Sequence, residues 1–203
     1  MIKKFYIIDE KNDCMLIVSQ NLTSYDLPLP KEAVFRINLA WVNSLAELKN
    51  LIEKNQEHEI FLDIPRGRIK PPNNKYTINE VLPVIESHDN IRYLAISNVD
   101  SADDISNLVK IIPKHITIVP KIESRSGIKN IAEIVKILGE KKIVMLDHDD
   151  LYSEILRNHG NQEEFIKCLE NLTAFCDKDN VILLRTIGVL FADSEKRISE
   201  YVK

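Results

Sequence analysis

Acidic side chains and a lysine follow two neighbouring apolar runs of the sequence. The run Ile116–Val119 leads into Lys121 and Glu123, and the run Ile143–Leu146 leads into four polar residues that end with Asp150. Two carboxylates and water can hold Mg²⁺ or Mn²⁺, because hard cations prefer oxygen ligands. A lysine beside them could stabilise a developing enolate or a transferring phosphoryl group. These residue types therefore point to metal-assisted chemistry on an anionic substrate.

The segment between the two runs has the pattern of a turn and a helix. A turn containing Gly127 is followed by apolar residues at helical spacing, from Ile131 to Leu138. Strand, helix and strand in this order predict a parallel pair, whose carboxyl ends meet at one edge. Sites in parallel α/β folds are built at that edge, and we therefore expect Glu123 and Asp150 to meet there.

Other apolar runs also end in polar residues. These are Arg36 and Asn38, Asp63, Ser97 and Asn98, and Arg185 and Thr186. An arginine could take a carboxylate or a phosphate in a bidentate fork. A single charged residue at a strand end also occurs simply because the chain leaves the core. The pair Glu123 and Asp150 is the stronger signal, since the two fall on neighbouring strands. Asp147 and Asp149 are expected to be solvated or to cap a helix, although Asp147 could join the metal ligands.

The fold class follows from the repetition of apolar runs and helical patterns. The runs are Ala33–Leu39, Ile60–Ile64, Tyr93–Ile96, Ile116–Ile122, Ile143–Leu146 and Val181–Leu184. Helix starts with capping spacing follow several of them, at Ser44, Thr77, Ser101 and Asn161. Repeated units of this kind predict an α/β fold with a parallel (β/α) barrel of the TIM type, shortened or incomplete because only six units are clear. An open doubly wound sheet is the alternative, but no glycine-rich nucleotide motif supports it.

The N-terminal residues are less regular. Phe5–Ile8 and Met15–Val18 are short apolar runs separated by polar residues, which predicts a β-hairpin. The segment Leu27–Pro30 reads as an extended linker because proline disfavours helix at the preceding residue. We therefore predict two parts, residues 1–30 with the hairpin and linker and residues 31–203 with the barrel.

Composition excludes several classes of function. The net charge of −4 and the lack of long Lys/Arg runs argue against nucleic-acid binding. No apolar stretch approaches the ~20 residues that cross a bilayer, and no leader is evident. Three scattered cysteines favour buried thiols in a reducing compartment. These features predict a cytoplasmic protein that acts on small molecules and not on membranes.

Residues 33–190 resemble, in unbroken order, the catalytic barrel of pyruvate kinase. The segments that carry the resemblance are AVFRINL, FLDIPRGRIK, YLAISNVDSADDI, VPKIESRSGIKNIAEI, IVMLDHDDLYSEI and LLRTIGVL. The fourth is close to the family's Lys-Ile-Glu-x-x-x-Gly-x-x-Asn motif and is the specific part. The resemblance implies a phosphoenolpyruvate- or pyruvate-binding barrel.

The resemblance also implies a role for individual residues. The divalent-metal ligands would be Glu123 and Asp150, and Lys121 would lie beside the transferred phosphoryl group or the enolate oxygen. Arg36 and Ser97 would bind the substrate. Thr186 would sit near the carbon that is protonated, as a second catalytic residue. Asn38 and Asp63 would contribute to a K⁺ site, although Ala40 stands where the family has a serine ligand.

Departures from the family argue against ordinary pyruvate kinase activity. Helix signals resume at Thr77, so the lid domain that the family inserts after the segment ending at Lys70 is missing, and its eighth barrel strand and C-terminal domain are not found. The acidic residues Asp147 and Asp149 replace a turn that holds the substrate carboxylate. Without a lid, water is poorly excluded from phosphoryl transfer.

Two hypotheses of function follow. The first is a metal-dependent enzyme that acts on phosphoenolpyruvate, pyruvate or a related 2-oxo acid, as a transferase or a carbon–carbon lyase. The lyase version draws on the citrate-lyase and aldolase families, which are similar in using a strand-end Glu and Asp for metal. The alternative is a non-catalytic barrel that serves as a binding or assembly subunit, and that forms a homodimer over an edge left by the missing strand.

Overall fold

The computed structural model describes residues 4–6, 15–20, 30–67, 72 and 74–187. The strands of this part are β1 (Lys4–Tyr6), β2 (Leu16–Ser19), β3 (Val34–Asn38), β4 (Ile60–Ile64), β5 (Ile91–Ile96), β6 (Thr117–Ile122), β7 (Ile143–Leu146) and β8 (Ile182–Ile187). The helices are α1 (Leu45–Lys54), α2 (Ile78–Glu86), α3 (Asp103–Ile111), α4 (Arg125–Lys129), α5 (Ile131–Lys136), α6 (His148–Arg157) and α7 (Gln162–Lys178), with a 3₁₀ helix at Leu39–Trp41.

The seven strands β2 to β8 form one curved, all-parallel sheet in chain order. The short strand β1 lies antiparallel to both β2 and β8 and closes the ring between them. The chain is thus an α/β protein compatible with an incomplete barrel of the TIM type, in which an antiparallel strand occupies the eighth place. The edge of β8 that was expected to receive a second copy is paired with β1.

The N-terminal hairpin stays a prediction. Strands β1 and β2 pair with Phe5 opposite Ile17, but residues 7–14 between them lie outside the described residues. The predicted linker at 27–30 also lies outside them, except for Pro30. Strand β2 is part of the same sheet as the barrel strands, because Val18 pairs with Phe35 of β3.

The barrel interior is apolar toward the amino ends of the parallel strands, which we call the lower half, and charged toward their carboxyl ends, the upper half. Side chains alternate along a strand, so every second residue faces inward. The inward-packed apolar cluster is Ile17, Val34, Phe61, Tyr93, Ala95, Val119, Ile143, Met145 and Leu184. Two residues further along three of these strands stand the buried polar residues Arg36, Asp63 and Lys121. The same alternation that fills the core therefore places charged side chains inside the barrel at the carboxyl ends of the strands. We call this end of the barrel the rim.

The outward-facing strand residues pack under the helices and form the larger core. Phe35, Leu62 and Leu94 are fully buried there, together with the apolar stripes of α1, α2 and α3. Strands buried on both faces explain the dense Ile, Val and Leu runs. Within the part of the chain that is described, no helix is long and apolar enough to cross a membrane.

Three of the four predicted helix caps are confirmed. Ser44, Thr77 and Asn161 each accept a hydrogen bond from the backbone three residues on. The prediction at Ser101 is wrong, because α3 begins at Asp103 after an uncapped Ala102. There the bond runs the other way, since Ser101 donates from its backbone and its hydroxyl to Asp104.

The helix expected from Ile131 is α5, and the turn expected around Gly127 is a short helix of its own, α4. The short helix α4 is capped by the Ser124 hydroxyl, which accepts from the Gly127 amide at 3.0 Å. The chain leaves helical geometry at Asn130, and α5 follows with Ile131, Ile134 and Val135 buried. Asn130 is held there because its side-chain amide donates to the Asp100 carbonyl at 2.8 Å.

Candidate functional site

Lys121 is the centre of the charged half of the barrel interior. Its side chain is buried, and its Nζ lies 2.8 Å from Glu123 Oε1 and 3.8 Å from Asp63 Oδ2. The same ammonium donates to Ser97 Oγ at 3.0 Å. Strand β6 places Lys121 inside the barrel, and Ser97 follows the neighbouring strand β5. The predicted catalytic lysine and the predicted substrate-binding serine are therefore brought together.

Arg36 and Asp63 form a second buried ion pair beside Lys121. Both the Nε and the Nη2 of Arg36 donate to Asp63 Oδ2, the former at 3.2 Å. The side chain of Asp63 is 1% exposed and that of Arg36 is 10% exposed. The pair joins β3 to β4, where Asp63 lies two residues beyond Phe61, the register partner of Arg36. Arg36 is thus neutralised by a protein carboxylate, and its predicted contact with a substrate phosphate stays a prediction.

Glu123 is oriented by two donors, one in β6 and one in the segment that follows β5. Its Oε1 faces Lys121, and its Oε2 accepts from the Asn98 backbone amide at 2.7 Å. Asn98 has a positive φ of 53°, a conformation that asparagine tolerates better than most residues. Its side-chain amide also donates to the Arg66 carbonyl, which holds the loop after β4 against the end of β5. Glu123 thus approaches the rim in a fixed orientation.

Glu123, Asp147 and Asp150 form a cluster that we call the acidic triad. One carboxylate oxygen of each lies within 4.8 Å of the other two. Oxygens on opposite sides of a magnesium ion stand about 4.2 Å apart, given bonds of about 2.1 Å. Glu123 is buried, whereas the two aspartates are half-buried and have room to adjust. The triad could therefore hold a divalent metal ion.

The start of helix α6 explains why two of these acids are adjacent in space. Asp147 caps the helix, and its Oδ1 accepts from the Asp150 backbone amide at 3.2 Å. A cap oxygen and the third residue of the first turn are neighbours in this geometry. The expectation that Asp147 caps a helix is confirmed, and the cap also carries it into the triad. Asp149, in contrast, is exposed and outside the triad.

Carboxylates outnumber cations among the residues described at the inner part of the rim. Four carboxylates, from the acidic triad and Asp63, lie near the two cations Arg36 and Lys121. The oxygen donors of the acidic triad fit Mg²⁺ or Mn²⁺, because hard cations prefer oxygen ligands.

The pKa of each partner in the Lys121–Glu123 pair is raised. Burial alone would lower the pKa of the Lys121 ammonium, but the carboxylates of Asp63 and Glu123 outweigh burial and raise it. Burial raises the pKa of the Glu123 carboxyl, and the attraction of Lys121 offsets only part of that rise. Lys121 is thus held as a cation, which suits it to stabilise negative charge and not to act as a nucleophile.

An open cavity of about 270 Å³ lies over the rim. Its floor contains Lys121, Glu123 and Ser97, and its wall on one side is the face of α6 that carries Asp150, Glu154 and Arg157. The carboxyl ends of β3 and β4 and the segments that follow β4, β5 and β6 supply the remaining lining residues, which are Asn38, Asp63, Pro65, Gly67, Asn98, Asp100, Ser124 and Ser126. A cavity of this size suits a small metabolite.

The predicted K⁺ ligands have other partners in the structure. The Asn38 side-chain oxygen accepts from the Ala40 amide at 3.0 Å and caps the 3₁₀ helix. Asp63 is engaged by Arg36, and Ala40 offers no side-chain oxygen. The predicted contribution of Asn38 and Asp63 to a monovalent-cation site stays a prediction. Thr186, the predicted second catalytic residue, lies in β8 opposite Phe5 of β1, and its role stays a prediction.

Sequence reasoning missed the part of the site that α6 contributes. Glu154 and Arg157 line the cavity with Asp150, at helical spacings of four and three residues. That spacing was visible in the sequence, but only the path of α6 beside the rim shows that the face is turned toward the site. Asn98 was noted as a strand-end residue, without its backbone donation to Glu123.

Comparisons with known proteins show the fold and no family. No family model matches the chain, and no curated protein matches it. Among solved structures, RipC from Yersinia pestis is 16% identical with a TM-score of 0.56, over 82% of this chain and 75% of RipC. The citrate synthase SbnG is 12% identical with a TM-score of 0.57, over 83% of this chain and 71% of SbnG. At these identities the likeness establishes a shared barrel-like α/β fold.

Proposed function

We propose that this protein is a divalent-metal-dependent enzyme that makes or breaks a carbon–carbon bond in pyruvate or a related 2-oxo acid through an enolate. The observation that carries the proposal is the acidic triad, two of whose members, Glu123 and Asp150, line an open cavity together with the buried Lys121, which is held as a cation. Clustered carboxylates can bind a divalent metal ion, and a fixed cation stabilises a developing anion.

The residues of the site divide the work between them. Glu123, Asp147 and Asp150 would hold Mg²⁺ or Mn²⁺, which supplies Lewis-acid stabilisation to the oxygens of a 2-oxo acid. The Lys121 ammonium, oriented by Ser97 and Glu123, would stabilise negative charge on the enolate oxygen. Because Lys121 is kept protonated, a mechanism in which its amine attacks the substrate carbonyl is disfavoured.

Carbon–carbon chemistry is favoured over phosphoryl transfer for two reasons. One structural neighbour, SbnG, is named a citrate synthase, and synthases of that kind form a carbon–carbon bond. The pyruvate-kinase-like segments support an enolate, which both reactions share. Phosphoryl transfer also depends on excluding water from the reacting group, whereas the cavity over the rim is open.

Calorimetric titration with Mg²⁺ and with Mn²⁺ tests the proposal. Wild-type protein should bind in the micromolar-to-millimolar range, and the double variant Glu123→Gln/Asp150→Asn should show no binding. The Asp147→Asn variant keeps an oxygen for the helix cap and should lose about tenfold in affinity, because one ligand charge is removed. Binding should tighten in the presence of pyruvate.

Two controls make the result decisive. The Asp149→Asn variant removes an acid next to the triad and should bind metal as the wild type does. Circular dichroism checks that each variant is folded. A folded wild-type protein that binds neither ion would refute the proposal and leave the non-catalytic binding or assembly role.

A further inference from the structure

The two buried cations, Lys121 and Arg36, have little uncompensated charge with which to bind an anionic substrate. Lys121 contacts Glu123 at 2.8 Å, and the guanidinium of Arg36 donates twice to Asp63. Each is therefore neutralised by a protein carboxylate before substrate arrives. A substrate with a second acidic group would need another positive side chain in the cavity.

The wall formed by α6 extends the cavity beyond the metal ligands. Asp150, Glu154 and Arg157 all line it, and their spacings of four and three residues place them on one helix face. Seven residues of helix span about 10 Å. Side chains on a helix lean toward its N-terminus, so a long side chain at position 157 can reach back toward the acidic triad. Glu123 and Asp150 of the acidic triad and the Arg157 side chain thus border one cavity.

The charges along this wall differ in their partners. Glu154 is paired with Arg125 of α4, whose Nε lies 3.3 Å from Glu154 Oε2. Arg125 also contacts Glu164 of α7 at 2.8 Å. On the other side of the cavity, Arg66 is paired with Asp104. The side chain of Arg157 makes no hydrogen bond or ion pair with any of the residues that the structure describes, and it is exposed in the cavity wall.

We propose that Arg157 binds the distal carboxylate of the substrate and makes the site selective for a 2-oxo diacid over a 2-oxo monoacid. The inference rests on the proposed function, because the metal end of the site must hold the 2-oxo acid group. It assigns the substrate's second charge to a cationic residue of the lining that has no carboxylate partner among the residues that the structure describes. Glu154 competes only in part for Arg157, since Glu154 is already paired with Arg125, which it shares with Glu164.

Two acids of equal length test the assignment. In 2-oxoglutarate the five-carbon chain ends in a carboxylate, and in 2-oxovalerate it ends in a methyl group. With Mg²⁺ present, calorimetry should show that wild-type protein binds 2-oxoglutarate about tenfold more tightly, the effect of one hydrogen bond to a charged group. The Arg157→Gln variant should lose that preference, and Arg157→Lys should keep part of it.

The controls separate this inference from the metal site. The Arg92→Gln variant removes an exposed arginine near the amino end of β5 and should keep the full preference. The affinity for Mg²⁺ alone should be the same in wild type and Arg157→Gln. Three results would overturn the role of Arg157 alone, provided that Mg²⁺ binding is intact. Wild-type protein could bind the two acids with equal affinity, or it could fail to bind 2-oxoglutarate. The preference for 2-oxoglutarate could also survive in Arg157→Gln. Absence of Mg²⁺ binding in the wild type would refute the proposed function itself.

Discussion

Replacing Arg36 with methionine should be one of the most destabilising single changes in the barrel. The substitution removes a cation that donates two hydrogen bonds to Asp63, whose side chain is 1% exposed. Removing one partner of a buried ion pair costs about 3–5 kcal/mol, because a charge is left uncompensated. Lys121 Nζ remains 3.8 Å from Asp63 Oδ2, and we therefore expect a loss near the lower limit, about 3 kcal/mol.

The double variant Arg36→Met/Asp63→Leu should recover most of this loss. Apolar residues of similar volume often replace a buried ion pair at little or no cost. Urea unfolding at pH 7, followed by circular dichroism, gives the free energy of unfolding for the wild type, both single variants and the double variant. The coupling energy of this cycle should exceed about 1.5 kcal/mol, since the two residues are in direct contact.

An exposed ion pair provides the matched control. Arg92 Nε lies 3.8 Å from Glu59 Oε1, and the two side chains are 44% and 52% exposed. The Arg92→Met variant should change stability by less than about 0.5 kcal/mol. The reasoning about the buried pair would be refuted if Arg36→Met cost less than about 1 kcal/mol, or if the losses of the two single variants simply added.

Two further predictions concern the described thiols and the glycine of the specific motif. Burial raises the pKa of Cys176 to about 12. At pH 8, iodoacetamide should therefore label half-buried Cys168 in the native protein and Cys176 only after unfolding, as measured by mass spectrometry. Equal labelling of the two thiols in the native state would contradict this prediction. A Cβ at Gly127 would lie 2.6 Å from the Val99 carbonyl oxygen, whereas one at Gly139 would meet nothing within 4 Å. Gly127→Ala should therefore lower the free energy of unfolding by about 2 kcal/mol, whereas Gly139→Ala should leave it nearly unchanged. Similar urea midpoints for the two variants would refute the packing argument.

The sequence predicted the order of the barrel strands well because its signals there are local. Runs of Ile, Val and Leu that end in polar residues specify buried parallel strands, and the six regular runs all became strands. The meeting of Glu123 with Asp150 followed from the same rule, since neighbouring parallel strands end at one edge. Three helix caps were predicted from the same kind of short-range pattern.

Contacts between residues that are distant in the sequence could not be predicted from local patterns. The strand-end positions of Arg36 and Asp63 were evident, but their mutual ion pair depends on the register between β3 and β4. The antiparallel closure by β1 is likewise a contact between residues that are distant in sequence, such as Phe5 and Thr186. Arg157 was missed because its relevance depends on where α6 runs after the cap at Asp147.

The charged half of the barrel interior is best explained by function. Buried ion pairs contribute little net stability, and apolar residues could fill the same space, as they do in the lower half. Positions 36, 63 and 121 face the barrel interior in the same way as Val34, Phe61 and Val119, which lie two residues earlier in each strand. Isoleucine or valine would therefore be compatible with strand alternation at these positions. Residues that cost stability at the carboxyl ends of parallel strands are expected where they serve a site. The acidic triad beside these residues could hold a divalent metal ion, and an ion at that place would be a reason for a buried lysine and its carboxylate partners to be retained there.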